Sequence, residues 1–230
     1  TVAVGMIIDK MSSDELPSRI TDTEKEKIDS GIGLISGSEY QKRYNQKGET
    51  IWITGLHGSG KNLLAFSLEK RLFQLGATVV LLDGSTRSLS RWGMPNRDSG
   101  LSRELDFSPT DRAEHLRRVA HIAKLLNDQG IIAICSFISP AENIRNQCAQ
   151  IIGEKRFHLV HMDASMDYCK NNKPKLYQLA EEGELRHMPG VDEKFEEPEN
   201  AVLKLNPEQD GQNTERIIEY LTEKKVFPLH

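Results

Sequence analysis

Thr50-Ile-Trp-Ile-Thr-Gly-Leu-His-Gly-Ser-Gly-Lys-Asn62 decides how this chain is read. Thr50 to Thr54 has the apolar, β-branched make-up of a buried strand, and Leu63 to Leu72 that of a helix. Between them the phosphate-loop pattern G-x-x-x-x-G-K-[ST] runs from Gly55 through Gly60 and Lys61. Glycines let backbone amides close around phosphate oxygens, the following helix N-terminus adds a favourable field, and the lysine supplies a point charge. Gly55, Leu56, His57, Gly58, Ser59, Gly60, Lys61 and Asn62 are therefore the candidate nucleotide-binding residues. The last position departs from the pattern. Asn62 stands where a hydroxyl for the nucleotide's magnesium ion is expected.

Working outward, strands and helices alternate. Residues 78–82 form a second apolar strand ending in Asp83-Gly84, and residues 111–129 an amphipathic helix with Ala113, Leu116, Ala120, Ala123 and Leu126 on one face. Residues 131–138 and 157–162 are further strands. Residues 140–153, 174–183 and 210–224 read as helices. Strands this apolar, separated by helices, predict a parallel sheet covered on both faces: a three-layer P-loop α/β kinase fold over residues 46–230. Residues 1–45 differ. Thr1 to Asp9 has strand character, residues 10–30 are charged and linker-like, and a short helix is expected around residues 38–44. A strand with no partner, in a chain lacking an initial Met, reads as the start of a fragment of a longer protein.

The bulk numbers narrow the partners. With 230 residues, a net charge of −4 and a pI near 6.0, the chain gives no electrostatic case for nucleic acid or an anionic membrane. It has no apolar run of about 18 residues and no signal-peptide pattern at its start. Three cysteines without metal-type spacing suit a reducing cytoplasm.

Ligands of such sheets gather beyond the carboxyl ends of the strands. Three of those ends carry polar residues: the phosphate loop, Asp83-Gly-Ser-Thr-Arg87, and Ser136-Phe-Ile-Ser-Pro140. Asp83 is placed to order a metal-bound water or to accept a proton from a substrate hydroxyl, although Asp-Gly is also a common turn. Residues 131–138 hold no carboxylate, so Asp83 is the acidic candidate. Arg112, on the first turn of the long helix, is placed to clamp an anionic substrate. Residues 174–183, near Lys173, Lys175, Arg186 and His187, suit a mobile lid or an ordinary charged surface.

With these motifs in hand, residues 48–225 resemble the adenylylsulfate (APS) kinase family. The resemblance rests on Thr54-Gly-Leu-His-Gly-Ser-Gly-Lys61, Leu82-Asp-Gly84, Gly100-Leu-Ser-Arg-Glu-Leu-Asp-Phe-Ser108 with Asp111-Arg112, and Ser136-Phe-Ile-Ser-Pro140. Leu176-Tyr177, Glu182-Gly-Glu184, Gly190-Val-Asp192 and Phe195-Glu-Glu-Pro-Glu-Asn200 extend it. It implies transfer of the ATP γ-phosphoryl group to the 3′-hydroxyl of APS in sulfate assimilation, with ATP and magnesium as cofactors. Catalytic residues would be Lys61, Asp83 and Ser139, the last at a serine often assigned as a phosphoserine intermediate. Arg87, Phe107, Arg112, His115, Ile138 and Met188 would bind substrate, and Asn62 and Asp83 would hold the metal. The resemblance also implies a homodimer. It reads residues 1–45 as the end of an elongation-factor-like β-barrel and its linker, as in fusions of the sulfate adenylyltransferase large subunit with APS kinase.

Several positions depart from the family. Asn62 and Leu63 replace hydroxyl residues, Ser85 an aspartate, His115 an asparagine, and Met188-Pro189 a Phe-Thr pair; residues 88–96 look inserted. Clustered on the nucleotide and substrate contacts, they set a second expectation beside the active kinase: a weakened, pseudokinase-like module that binds nucleotide or APS and regulates a fused adenylyltransferase. A kinase for another small acceptor is a third.

Overall fold

A computed structural model of the protein describes residues 34–84, 101–208 except 103 and 107, and 211–227, together with Thr23. The expected strand at residues 1–9, the linker at 10–30, Ser85, Arg87, the inserted segment and Phe107 lie outside the described residues.

The chain divides into two units, Thr1–Glu39 and Tyr40–His230. Ser36 opens helix α1 (Gly37–Tyr44) with a capping box. Its backbone N–H donates to Glu39 Oε2 at 2.8 Å while the Glu39 N–H donates to Ser36 Oγ at 3.3 Å.

Among its described residues the second unit holds five strands: β1 (Thr50–Thr54), β2 (Val79–Asp83), β3 (Ile132–Ser136), β4 (Phe157–Met162) and β5 (Leu203–Leu205). They pair in the order β2-β3-β1-β4-β5, and every pairing is parallel. The helices are α2 (Lys61–Gln74), α3 (Pro109–Asp128), α4 (Glu142–Ile152), α5 (Met166–Asn172), α6 (Pro174–Glu181) and α7 (Asn213–Glu223). The parallel three-layer α/β fold is the expected one. Strand β5 and helix α5 are not legible in the sequence, being only three and seven residues long. Strand β3 ends two residues early because the chain turns at Ser139, which has φ 39.

Alternation along the strands builds two cores. Ile51, Ile53, Ile132, Ile134 and Val160 pack with Leu64, Leu68 and Leu72 of α2 and Ile217 and Leu221 of α7. Trp52, Ala133, Cys135 and Leu159 face the other way, onto Leu116, Val119 and Ala123 of α3 and Cys148 and Ile152 of α4. Truncating a side chain such as Ile51 to Ala at such a position costs about 2–5 kcal/mol. At the amino end of the sheet, the Gln46 amide donates to the carbonyls of Thr78 and Gly130, both at 2.8 Å, which fixes where β1 begins. Buried His158 pairs there with Glu49 through Nε2 and with Tyr220 Oη through Nδ1, at 2.9 Å. This frame leaves the carboxyl ends of β1, β2 and β3 side by side. No helix among the described residues is long and apolar enough to cross a membrane.

Candidate nucleotide and phosphate site

The loop after β1 is shaped by glycine where nothing else fits. Gly58 has φ 81, and a Cβ there would stand 2.5 Å from the Cys169 carbonyl oxygen. Gly60 caps α2 with φ 87. Lys61 opens that helix, and its Nζ donates to the Leu56 carbonyl at 2.9 Å, turned back over the loop. The Ser59 hydroxyl is buried and, among the described residues, has no hydrogen-bond partner, an unmet polar group inside the cradle.

Positive charge collects around this loop. Burial pushes the Lys61 ammonium down to about 8, with Lys173 adding to the shift and Cys169 and Asp83 opposing it. His57 is pushed down to about 3, first by burial and then by Lys61, Arg112 and Lys173. At neutral pH His57 is therefore uncharged among three cationic side chains. A loop of glycines ringed by Lys61, Lys173 and Arg112, with Asp83 and Glu193 as the nearby carboxylates, is chemically suited to a polyanion.

Helices α5 and α6 roof the loop. Asn172 Nδ2 donates to the Gly58 carbonyl at 3.0 Å, and Tyr177 Oη to the His57 carbonyl at 2.9 Å. The expected lid segment thus touches the phosphate loop directly through Tyr177. Its neighbour Met188, expected to bind substrate, is buried with Cys169, Tyr177 and Ala180.

Asn62, Asp83 and Ser136 meet at the ends of three different elements. Asn62 Nδ2 donates to Asp83 Oδ1 at 3.1 Å, and Ser136 Oγ donates to Asn62 Oδ1 at 3.0 Å. Asp83 is 1% exposed. Among the described residues, no cluster of three or more His, Cys, Asp or Glu side chains could hold a metal on its own.

The other expected site residues stand around this centre. Arg112 Nη1 lies 2.7 Å from both oxygens of Glu193, and Nη2 donates to the His187 carbonyl at 2.6 Å. Asp192 holds the same segment by accepting from the amides of His187 and Met188 at 2.7 and 2.6 Å. His115 is buried, with Nδ1 2.6 Å from Ser102 Oγ and its ring edge-on to Phe137. Ile138 is half-buried, and its carbonyl accepts from Thr54 Oγ1. Ser139 is 1% exposed; its hydroxyl donates to Thr54 Oγ1 at 2.9 Å and accepts from Trp52 Nε1 at 3.1 Å. Glu193, Asn172 and the role of Ser136 were not anticipated. Glu193 directly follows the Gly190-Val-Asp192 motif, but nothing in its spacing shows that it meets Arg112 across 81 residues.

Known proteins carry the same pattern. The family model for adenylylsulphate kinase matches residues 47–206. The adenylyl-sulfate kinase of Clostridium acetobutylicum is 38% identical over 196 residues, covering 84% of this chain and 92% of its own length. The bifunctional enzyme CysN/CysC of Rhodopirellula baltica is 37% identical over 209 residues; the match takes in 90% of this chain but only 31% of that protein. Among solved structures, the Mycobacterium tuberculosis APS kinase CysC in complex with AMPPNP and APS superposes with a TM-score of 0.68 at 34% identity. That alignment covers 77% of this chain and 99% of the mycobacterial one.

Proposed function

Because the chain belongs to the adenylylsulfate kinase family, we propose the following division of labour within its site. The enzyme is an ATP-dependent phosphotransferase that moves the γ-phosphoryl group of ATP to the 3′-hydroxyl of APS, giving 3′-phosphoadenylylsulfate and ADP. The observation that carries the assignment of roles is the cation-ringed loop of Gly55 to Lys61 with Asp83 beside it.

Lys61 and the loop amides hold the β- and γ-phosphates, and the buried Ser59 hydroxyl finds its missing partner there. The bond between the γ-phosphorus and the bridging oxygen breaks as the 3′-oxygen bonds in line, and the 3′-hydroxyl proton leaves toward Asp83. Such transfer depends mainly on positioning and charge neutralisation. Arg112 recognises the sulfate–phosphate part of APS, with Phe107, Arg87, His115, Ile138 and Met188 as the further substrate contacts. Ser139 shapes the turn beside the acceptor; its hydroxyl, committed to Trp52 and Thr54, favours direct transfer over a phosphoserine.

A buried carboxylate beside the phosphate loop fits magnesium, which keeps several waters and takes one or two carboxylates plus substrate phosphates. Asp83, with Asn62 next to it, would hold the ion, and the ion would neutralise charge on the transferring phosphoryl group. We further infer cytoplasmic action as a homodimer, with residues 1–45 as the barrel end and linker of a sulfate adenylyltransferase fusion. The fused Rhodopirellula relative supports that arrangement. A coupled assay of ADP release with ATP, magnesium and APS tests the reaction. Turnover that requires APS is expected; folded protein without APS-dependent turnover would favour the non-catalytic module.

A further inference from the structure

Asp83 is a carboxylate withdrawn from water at the end of β2, and a buried carboxylate needs donors around it. One of those donors is the Asn62 amide, 3.1 Å away. The orientation of that amide is dictated by its neighbours. An ionised carboxylate accepts only, so the NH2 group of Asn62 must face Asp83. The carbonyl oxygen then points to Ser136, whose hydroxyl donates to it at 3.0 Å. The side chain is fixed at both ends, from β2 on one side and β3 on the other.

We infer that Asn62 is a specificity-determining residue that weakens the site's hold on the divalent cation, because it presents amide hydrogens where the phosphate-loop pattern puts a metal-ligating hydroxyl. The inference rests on the phosphate-loop reading above. A cation settling beside Asp83 meets the positive end of the Asn62 amide dipole. To gain the amide oxygen as a ligand, it must break the Asn62–Asp83 hydrogen bond and turn the amide over. Ser136 tolerates that turn, since its hydroxyl accepts as readily as it donates. The opposing element is therefore the amide itself. It supplies Asp83 with a hydrogen-bond donor that an entering cation must displace, so the cation gains less by settling there.

Two variants separate this from a passive substitution. Asn62→Thr restores the hydroxyl, and Asn62→Asp keeps the shape of the side chain but sets a second carboxylate against Asp83. Mn2+ is titrated into each protein with saturating AMPPNP and followed by electron paramagnetic resonance, and AMPPNP affinity is measured separately in excess EDTA. Changes around a metal centre typically shift affinity by about 10–100-fold, so both variants should bind Mn2+ at least about tenfold more tightly than the parent. Should Asn62→Thr fail to fold, the isosteric Asn62→Asp carries the comparison. Equal Mn2+ affinity across the series, or the tightest binding in the parent, overturns the inference. Absence of AMPPNP binding with and without metal would remove the nucleotide-site reading itself, and this inference with it.

Discussion

Glu193 grips Arg112 with both carboxylate oxygens, each 2.7 Å from Nη1, and the pair is largely withdrawn from water, with side chains 13% and 20% exposed. The contact ties the first turn of α3 to the segment that carries Met188, and it holds the guanidinium proposed to meet APS. Arg112→Ala removes a charged donor from the substrate and leaves Glu193 without its partner. A charge-assisted hydrogen bond contributes about 1.5–3 kcal/mol, so KM for APS should rise roughly tenfold or more while KM for ATP stays close to the parent value. Steady-state kinetics with each substrate varied separately checks this. An equal rise in both constants would mean that Arg112 serves the fold rather than the acceptor.

Lys61 gives the site a pH dependence whose sign can be worked out. Its folded-state pKa is lowered from 10.5 to about 8, chiefly by burial. Between about 8 and 10.5 the unfolded chain holds more protons, so the stability of the ligand-free protein gains from this group as pH rises through that window. Nucleotide binding runs the other way. The phosphates favour the charged ammonium, so AMPPNP affinity should fall as pH rises past about 8, with proton uptake on binding at pH 8–9. Calorimetry in buffers of different ionisation enthalpy reads that uptake directly, and Lys61→Met should abolish it.

Much of this was legible in the chain, for physical reasons that differ by element. Strand β4 is legible at its observed bounds because Phe157 to Met162 is apolar but for His158 and His161, and both of those are buried too. The phosphate loop was legible because glycine at positive φ, followed by lysine, has few other uses. Helix α5 was not legible. Met166 to Asn172 is short and mostly polar, and its task is to cover Gly58 rather than to fill the core. Nor could spacing reveal that Ser136 reads Asn62 across 74 residues, or Glu193 Arg112, since such contacts are set by the crossing of distant loops. Asn62 itself was conspicuous; what its amide does was written only in the geometry of its two neighbours.

His57 sets the acid limb of stability. It is held neutral with a pKa lowered from 6.5 to about 3, first by burial. The unfolded chain takes up that proton near 6.5, so the contribution of His57 to stability is present above about 6.5 and lost progressively down to about 3. Thermal melts from pH 7 to pH 4 should show a Tm fall that is shallower in His57→Gln. An unchanged slope would assign the acid sensitivity to other groups.

Tyr177 couples the roof to the loop through its hydroxyl, 2.9 Å from the His57 carbonyl, in a side chain 1% exposed. Tyr177→Phe keeps the ring packed with Cys169 and Met188 but strips the carbonyl of that donor. An unmet buried acceptor costs about 1–3 kcal/mol. Since about 1 kcal/mol moves Tm by roughly 2–4 °C in a domain of this size, a fall of several degrees is expected. KM for ATP should rise with it, because the loop loses one of the bonds that fix its carbonyls. A lower Tm with no change in ATP kinetics would show that Tyr177 supports α6 alone.

Gly58 and Gly76 make a matched pair for the claim that the loop's glycines are there for close approach and not only for freedom of φ. Both sit at positive φ, 81 and 86. Around Gly76 nothing lies within 4 Å of where a Cβ would stand, whereas at Gly58 that atom would be 2.5 Å from the Cys169 carbonyl oxygen. Gly76→Ala meets only the backbone penalty of a left-handed alanine, about 1–2 kcal/mol, far from the site. Gly58→Ala adds a collision with backbone that cannot swing aside, so the loop or α5 must shift. Its Tm should fall further than that of Gly76→Ala, and AMPPNP binding should weaken on the order of tenfold, the loss expected when about 1.4 kcal/mol of loop preorganisation is gone. Equal Tm losses and intact AMPPNP binding in both variants would show that α5 yields freely and does not shape the phosphate cradle.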